Sequence, residues 1–160
     1  MIAGVATREE LLKEAYTWIR TPYLKGGMVK GSGCDCATFP YSSYRVCGLI
    51  GDEQIGVFSD DWAANAKEEI YMFRILRHAH KVAEGMSYRT LKAAPGNILL
   101  VKTEGARVYD HAAIVVKWPR VLHSAPCSPG YVTEVDASSH FLFAFKKVHI
   151  FDPWAKYGSV

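Results

Sequence analysis

The sequence predicts an α+β protein whose N-terminal helices pack on a mainly antiparallel sheet. Three observations carry this reading. Segments with helical apolar spacing fill the first half of the 160 residues. Short apolar runs bounded by turn residues fill the second half. Those later runs follow one another without crossovers long enough for a parallel pairing, so neighbours return antiparallel.

The elements follow in order. Thr7-Arg-Glu-Glu10 is a capping-box pattern and opens a helix expected to reach about Arg20. Leu11, Leu12, Ala15, Trp18 and Ile19 share its apolar face, and Thr21-Pro22 stops it. Residues 22–35 form a glycine-rich loop whose backbone can approach a ligand closely. A second helix is expected from about Cys36 to Cys47, capped by Gly48, with Phe39, Tyr44 and Val46 or Cys47 turned inward. Pro40 fits only its first turn. Ser59-Asp60-Asp61 can cap a third, interrupted helical region running towards Ala83. Strands are expected at Asn97–Lys102, Asp110–Lys117, Val121–Ala125, Tyr131–Val135 and Phe141–Ile150. In the last of these, the alternating Phe141, Phe143 and Phe145 read as a core-facing edge. One domain over 1–160 is expected, with a helical insertion around 49–90.

Composition excludes several classes. Hydrophobic residues make up 49% of the chain, enough for a core, yet no apolar run has the length of a membrane span. Net charge is +3 and no Lys/Arg block exceeds two residues, so no nucleic-acid partner is expected. The start, MIAGVATREELLKEA, turns charged by Arg8 and lacks the pattern of a signal peptide. Synthesis in the cytoplasm is expected, with virion association or export by a partner system as the route outside. The four cysteines at 34, 36, 47 and 127 are too few for a disulfide framework.

One constellation carries chemistry. Cys36 ends Gly-Ser-Gly-Cys-Asp-Cys between the glycine loop and the second helix. The positive end of a helix and a nearby imidazole are the two devices that make a thiol nucleophilic, so this position predicts a lowered thiol pKa. His111 opens a strand and is the candidate base. The turn at 118–120 returns the next strand beside it, making His123 the natural orienting partner, with Asp110 the alternative by proximity. Candidate oxyanion donors are the Cys36 main-chain N–H and the Tyr23 phenol. Cys34 is the rival nucleophile. Cys34, Cys36, His111 and His123 also make a Cys2His2 inventory, but Cys-Xaa-Cys is tighter than usual zinc spacing, so neither metal nor cofactor is expected. His78 and His80 read as solvated surface, and His140 and His149 have no evident partner.

The segments Pro22-Tyr-Leu-Lys-Gly-Gly27, Gly33-Cys-Asp-Cys-Ala37, Pro95-Gly-Asn-Ile-Leu-Leu100, His111-Ala-Ala-Ile-Val-Val116 and Leu122-His-Ser-Ala125 together resemble the NlpC/P60 cysteine peptidase family. Gly-Xaa-Gly-Cys-Asp-Cys and Asp60-Asp-Trp62 resemble its phage-type cell-wall branch. The resemblance implies a papain-like fold and cleavage of peptidoglycan stem peptides, often between D-glutamate and diaminopimelate. It also implies Cys36 as nucleophile, His111 as base, His123 as orienter and Tyr23 as an oxyanion or substrate contact. Phage-tail or secretion components would be partners. The chain departs from the family where Ala37-Thr38 replaces Ser-Gly after the cysteine and Gly96-Asn97 replaces Gly-Asp. Two further functions stay open: a structural or targeting module with an inactive site, and another thiol-dependent amidase or acyltransferase.

Overall fold

The computed structural model describes residues 4–53, 62–127 and 129–157. Helix α1 spans Arg8–Tyr16 and opens on the expected capping box. Thr7 Oγ1 accepts from Glu10 N (3.2 Å), and Glu10 Oε2 accepts from Thr7 N (2.7 Å). The helix ends four residues before Arg20. The N–H groups of Thr17, Trp18 and Ile19 turn to carbonyls three residues back, tightening the chain into turns. The glycine loop folds into a short ribbon, β1 (Met28–Val29) against β2 (Gly33–Cys34).

Helix α2 is Thr38–Val46, so Cys36 lies two residues before its first helical residue. Pro40 falls in the first turn, where main-chain N–H groups have no intrahelical partner to lose. Phe39 and Tyr44 are buried as expected; Val46 is exposed and Cys47 half-buried. Two short helices follow, α3 (Trp62–Asn65) and α4 (Ile70–Leu76). The proposed cap at Ser59–Asp61 lies outside the described residues.

The remaining strands are β3 (His80–Gly85), β4 (Ile98–Val101), β5 (His111–Lys117), β6 (Arg120–His123), β7 (Thr133–Asp136) and β8 (Val148–Asp152). They form one antiparallel sheet in the order β3-β8-β4-β5-β6-β7. A short 3-10 turn, Ala155–Tyr157, follows. Two expectations are corrected here. Residues 80–83 are strand, because pairing with β8 (His80 opposite Asp152, Ala83 opposite Ile150) outweighs local helical preference. Residues 141–147 are turn instead of strand: Phe143 and Ala144 both donate to the His140 carbonyl, and Phe145 has φ 59. The phenylalanines therefore do not share a face. Phe143 is fully buried, while Phe141 and Phe145 are exposed.

Both faces of the sheet are covered. Leu100, Ala112, Ile114, Leu122 and Phe151 pack with Leu11, Ala15, Phe39 and Tyr44 of the helices. Leu99, Val101, Ala113, Val115, Val121 and Ile150 pack on the other side with Phe143 and Leu91. This two-sided burial explains the unbroken apolar run Ala112–Val116 in β5.

Gly96 locks the sheet to α1 and α2. It has φ +84, and a Cβ there would lie 2.8 Å from the Trp154 ring and 3.1 Å from Leu11. Its carbonyl accepts from the buried Tyr44 hydroxyl at 2.7 Å. Gly96→Ala is expected to destabilise the fold by about 2–4 kcal/mol, from left-handed strain plus overpacking. A denaturant titration checks this; a midpoint equal to the wild type would remove the close-approach role.

Candidate active site

The site begins with Asp35. Its Oδ1 accepts from the N–H groups of Ala37 (2.9 Å) and Thr38 (2.8 Å), and its Oδ2 accepts from Gly26 N (2.8 Å). Its own N–H donates to Thr38 Oγ1 (2.8 Å). One carboxylate thus supplies the acceptors for the start of α2 and ties it to the glycine loop. Cys36 is held between these anchors. Its thiol donates to the Asp110 carbonyl at 3.5 Å, and the Ala112 N–H lies against the same sulfur. The sulfur therefore meets the main chain on both sides of His111.

The His111 ring is buried and bonded elsewhere, its Nε2 lying 2.9 Å from His123 Nδ1. The β5–β6 register produces this contact. Ile114 faces Leu122 and Val115 faces Val121. Continuing that register places His123 across from Ala113, with His111 diagonal to it on the same face, within reach of long side chains. Of the sequence candidates, His111 and His123 are in direct contact and Cys36 meets the backbone beside them.

Tyr23 is positioned by its main chain. Its N–H donates to the Gly130 carbonyl at 2.9 Å, and it forms a parallel bridge with Cys34, two residues before Cys36. Cys34 is hydrogen-bonded to the residue that follows His123. It is fully buried, its thiol donates to Ser124 Oγ (3.8 Å), and burial pushes it up to about 11. The Asp110 carboxylate accepts from Thr103 N (2.8 Å) and Thr103 Oγ1 (2.5 Å), a turn role instead of an orienting one. Among the described residues, no group of three His, Cys, Asp or Glu side chains is placed to hold a metal ion.

The electrostatics correct one expectation. Burial pushes the Cys36 thiol above its ordinary value, and the Asp35 and Asp110 carboxylates push it further. The N–H groups of Ala112 and Cys36 itself act in the opposite direction but weigh less. The helix start does not generate a free thiolate: burial outweighs it, and the Asp35 carboxylate, which occupies its first N–H groups, adds negative charge. His111 is lowered to about 4 by burial and by the charge of His140, and His123 to about 2 by burial, His111 and His140. The resting groups are a neutral thiol and neutral imidazoles.

A cleft opens beside this corner. Its floor includes Ala37 and Ala112, the residues that follow Cys36 and His111, and its walls include Pro40, Tyr41, Trp62 and Tyr71. It holds about 720 Å³ counted to its open mouth. The Tyr71 hydroxyl donates to the Cys36 carbonyl at 3.0 Å.

Several solved structures of NlpC/P60 proteins share this arrangement of elements. The NlpC/p60 domain of the peptidoglycan hydrolase SagA aligns with TM-score 0.57 and 21% identity, over 91% of this chain and 98% of that one. An NlpC/P60 family protein from Bacillus cereus aligns with TM-score 0.58 and 15% identity, over 89% of this chain and 40% of that one. NlpC1 from Trichomonas vaginalis aligns with TM-score 0.61 and 14% identity, over 92% of this chain and 45% of that one. The chain has the NlpC/P60 fold. It spans nearly all of the SagA domain but less than half of the other two. No family profile matches the sequence, and no curated protein does.

Within the NlpC/P60 fold, sequence reasoning missed three contributors. Asp35 reads as a motif member but gives no sign that its charge would oppose the thiolate. Tyr71 lies 35 residues from Cys36 in an otherwise unmarked stretch. His140 sits in a turn yet packs on His123 with ring centroids 5.0 Å apart. His149, the other histidine without an evident partner, packs edge-on against Tyr109, and its Nδ1 lies 3.1 Å from Glu84 Oε2 without hydrogen-bond alignment. His78 is no solvated surface residue either, since its Nε2 lies 2.9 Å from Glu53 Oε1.

The lowered histidines link stability to pH. Below the ordinary histidine value of 6.5 the unfolded chain takes up protons that folded His111 refuses until about pH 4. Stability is fully present above about pH 6.5 and falls as the pH drops towards 4, by about 3 kcal/mol from His111 alone. Thermal midpoints between pH 7 and 4 should fall less steeply in His111→Gln than in the wild type. Equal slopes would contradict a buried neutral imidazole.

Proposed function

We propose that the chain is an NlpC/P60 family cysteine peptidase that hydrolyses amide bonds in peptidoglycan stem peptides, with Cys36, His111 and His123 as its catalytic groups. One observation carries this reading: the His111–His123 pair at 2.9 Å, with the Cys36 sulfur held against the main chain of residues 110 and 112. The peptidoglycan assignment draws support from the likeness to the SagA domain.

In the proposed reaction His111 Nε2 donates to His123 Nδ1, which leaves His111 Nδ1 as the acceptor of the thiol proton. The sulfur's resting bond to the Asp110 carbonyl is exchanged for one to His111 by side-chain rotation, in keeping with catalytic bonds that tighten only around substrate. A neutral starting pair means that the thiol proton moves as the sulfur attacks, instead of before it. The amide carbonyl becomes a tetrahedral oxyanion, for which the Cys36 N–H and the Tyr23 phenol are the proposed donors. His111 then protonates the leaving amine, and a water activated by the same ring releases the acyl group from the thioester.

The raised Cys36 thiol favours a second reading, a module that binds stem peptides without cutting them. Incubation with defined muropeptides and mass analysis of the products separates the two. Cleavage by the wild type, its loss in Cys36→Ala with an unchanged thermal midpoint, and its retention in Cys34→Ala are expected. Muropeptide binding without products would replace the peptidase by the binding module. Products joined to an added amine, instead of hydrolysed, would make the enzyme a transpeptidase.

A further inference from the structure

The imidazole pair continues outward to a third ring. His123 faces His111 edge-on, with centroids 5.2 Å apart and planes at 90°. On its other side it meets His140, with centroids 5.0 Å apart and planes at 78°. Phe143, fully buried, touches all three rings at centroid distances of 5.4, 5.2 and 5.7 Å and so fixes the row from one side. His111 and His123 are 5% and 1% exposed, whereas His140 is half-buried. The row therefore leads from the interior of the site to the surface.

His140 is held in place. Its N–H donates to the Asp136 carbonyl (3.0 Å), and its carbonyl accepts from Phe143 (2.9 Å) and Ala144 (2.8 Å). Its Nδ1 accepts from Leu142 N (3.3 Å), so the ring's own proton sits on Nε2 when it is neutral. Among the described residues, charged and titratable groups stand at both ends of the row, and the Tyr88 hydroxyl donates to the Phe143 carbonyl (2.8 Å). The Cys36 thiol and the Asp35 and Asp110 carboxylates stand at its inner end, Asp110 occupied by Thr103. At the outer end, the Asp136 carboxylate turns to Ser138 N (2.9 Å) and Oγ (2.6 Å).

We propose that His140 is a positioning residue for the peptidase reaction, acting through His123, and that its charge sets the acid limit below which His111 ceases to act as a base. The inference rests on the reading of His111 as the catalytic base. His140 is the ring of the row nearest the surface. Its charge then opposes a second proton on the same row, and His140 weighs in this direction on both His111 and His123. His111 thereby remains a free base further into acid than the buried pair would without a charged neighbour.

The test uses His140→Phe, which keeps a ring but removes the charge, and His140→Gln as a second variant should the first fail to fold. Two readouts are taken on the full chain: the pH profile of kcat/KM on a muropeptide, and the NMR titration of the His111 and His123 ring protons. In both variants kcat at neutral pH is expected to fall with KM little changed, because the imidazole that orients His123 is lost. Their acid limb and the His111 midpoint are expected to move up by about one pH unit, the size of a charge effect over this distance. Loss of stability with unmoved midpoints would make His140 a packing residue and overturn the proposal. The NMR arm needs no turnover: a shifted midpoint in a chain that cleaves nothing would keep the coupling of the rings and remove the peptidase reading.

Discussion

The site depends on a single carboxylate. Asp35 takes hydrogen bonds from the start of α2 and from the glycine loop, and Cys36 is the residue suspended between them. Without that acceptor, two N–H groups at the helix start and one in the loop would need other partners, and the sulfur would lose its fixed approach to β5. The same carboxylate places negative charge beside the thiol. Geometry and charge therefore oppose each other: the group that aims the sulfur also adds to the effect of burial in raising the thiol. Under the proposed mechanism the two demands are compatible, because a thiolate would be needed only during attack.

The histidines answer to a different constraint, strand register. A hairpin pairing Ile114 with Leu122 puts side chains twelve residues apart in sequence within one hydrogen bond of each other. A slip of one residue would send His123 to the opposite face, among Ile114 and Leu122, and separate the rings. The buried apolar run of β5 fixes the register, since both faces of that strand are packed. The core of the protein thus specifies the chemistry of its edge, and Phe143, plugged in from the turn after β7, completes the wall behind both rings.

Much of this was legible in the chain. The capping box at Thr7, the Cys36 loop, the hairpin around Pro119 and the His111–His123 pairing are all local or short-range signals, and each appears in the structure. What escaped notice is long-range. Residues 80–83 look helical alone and become strand only because β8 offers an edge. Phe141, Phe143 and Phe145 alternate like a strand, yet one buried ring and a left-handed Phe145 serve the fold instead. Tyr71 and His140 reach the site from 35 and 17 residues away (Cys36 to Tyr71, His123 to His140), with no motif to announce them. The direction of the Cys36 shift was also hidden. A helix start lowers a thiol only when its N–H groups are available, and the sequence does not show that Asp35 has taken them.

In the proposed reaction, a buried neutral His111–His123 pair beside a raised thiol changes what substrate must contribute. In an exposed ion pair the charges exist before binding and are solvated by water. Under the proposed mechanism, charging Cys36 and His111 each in isolation works against burial. The opposite charges become affordable together, when each stabilises the other in low dielectric and the developing oxyanion has its own donors. Proton transfer and carbonyl attack are then most favourable as one event. On the proposed function, a peptide seated in the cleft floored by Ala37 and Ala112 would add to this by excluding water beside Cys36. On the proposed mechanism, the fold therefore keeps Cys36 and His111 uncharged until a carbonyl is bound.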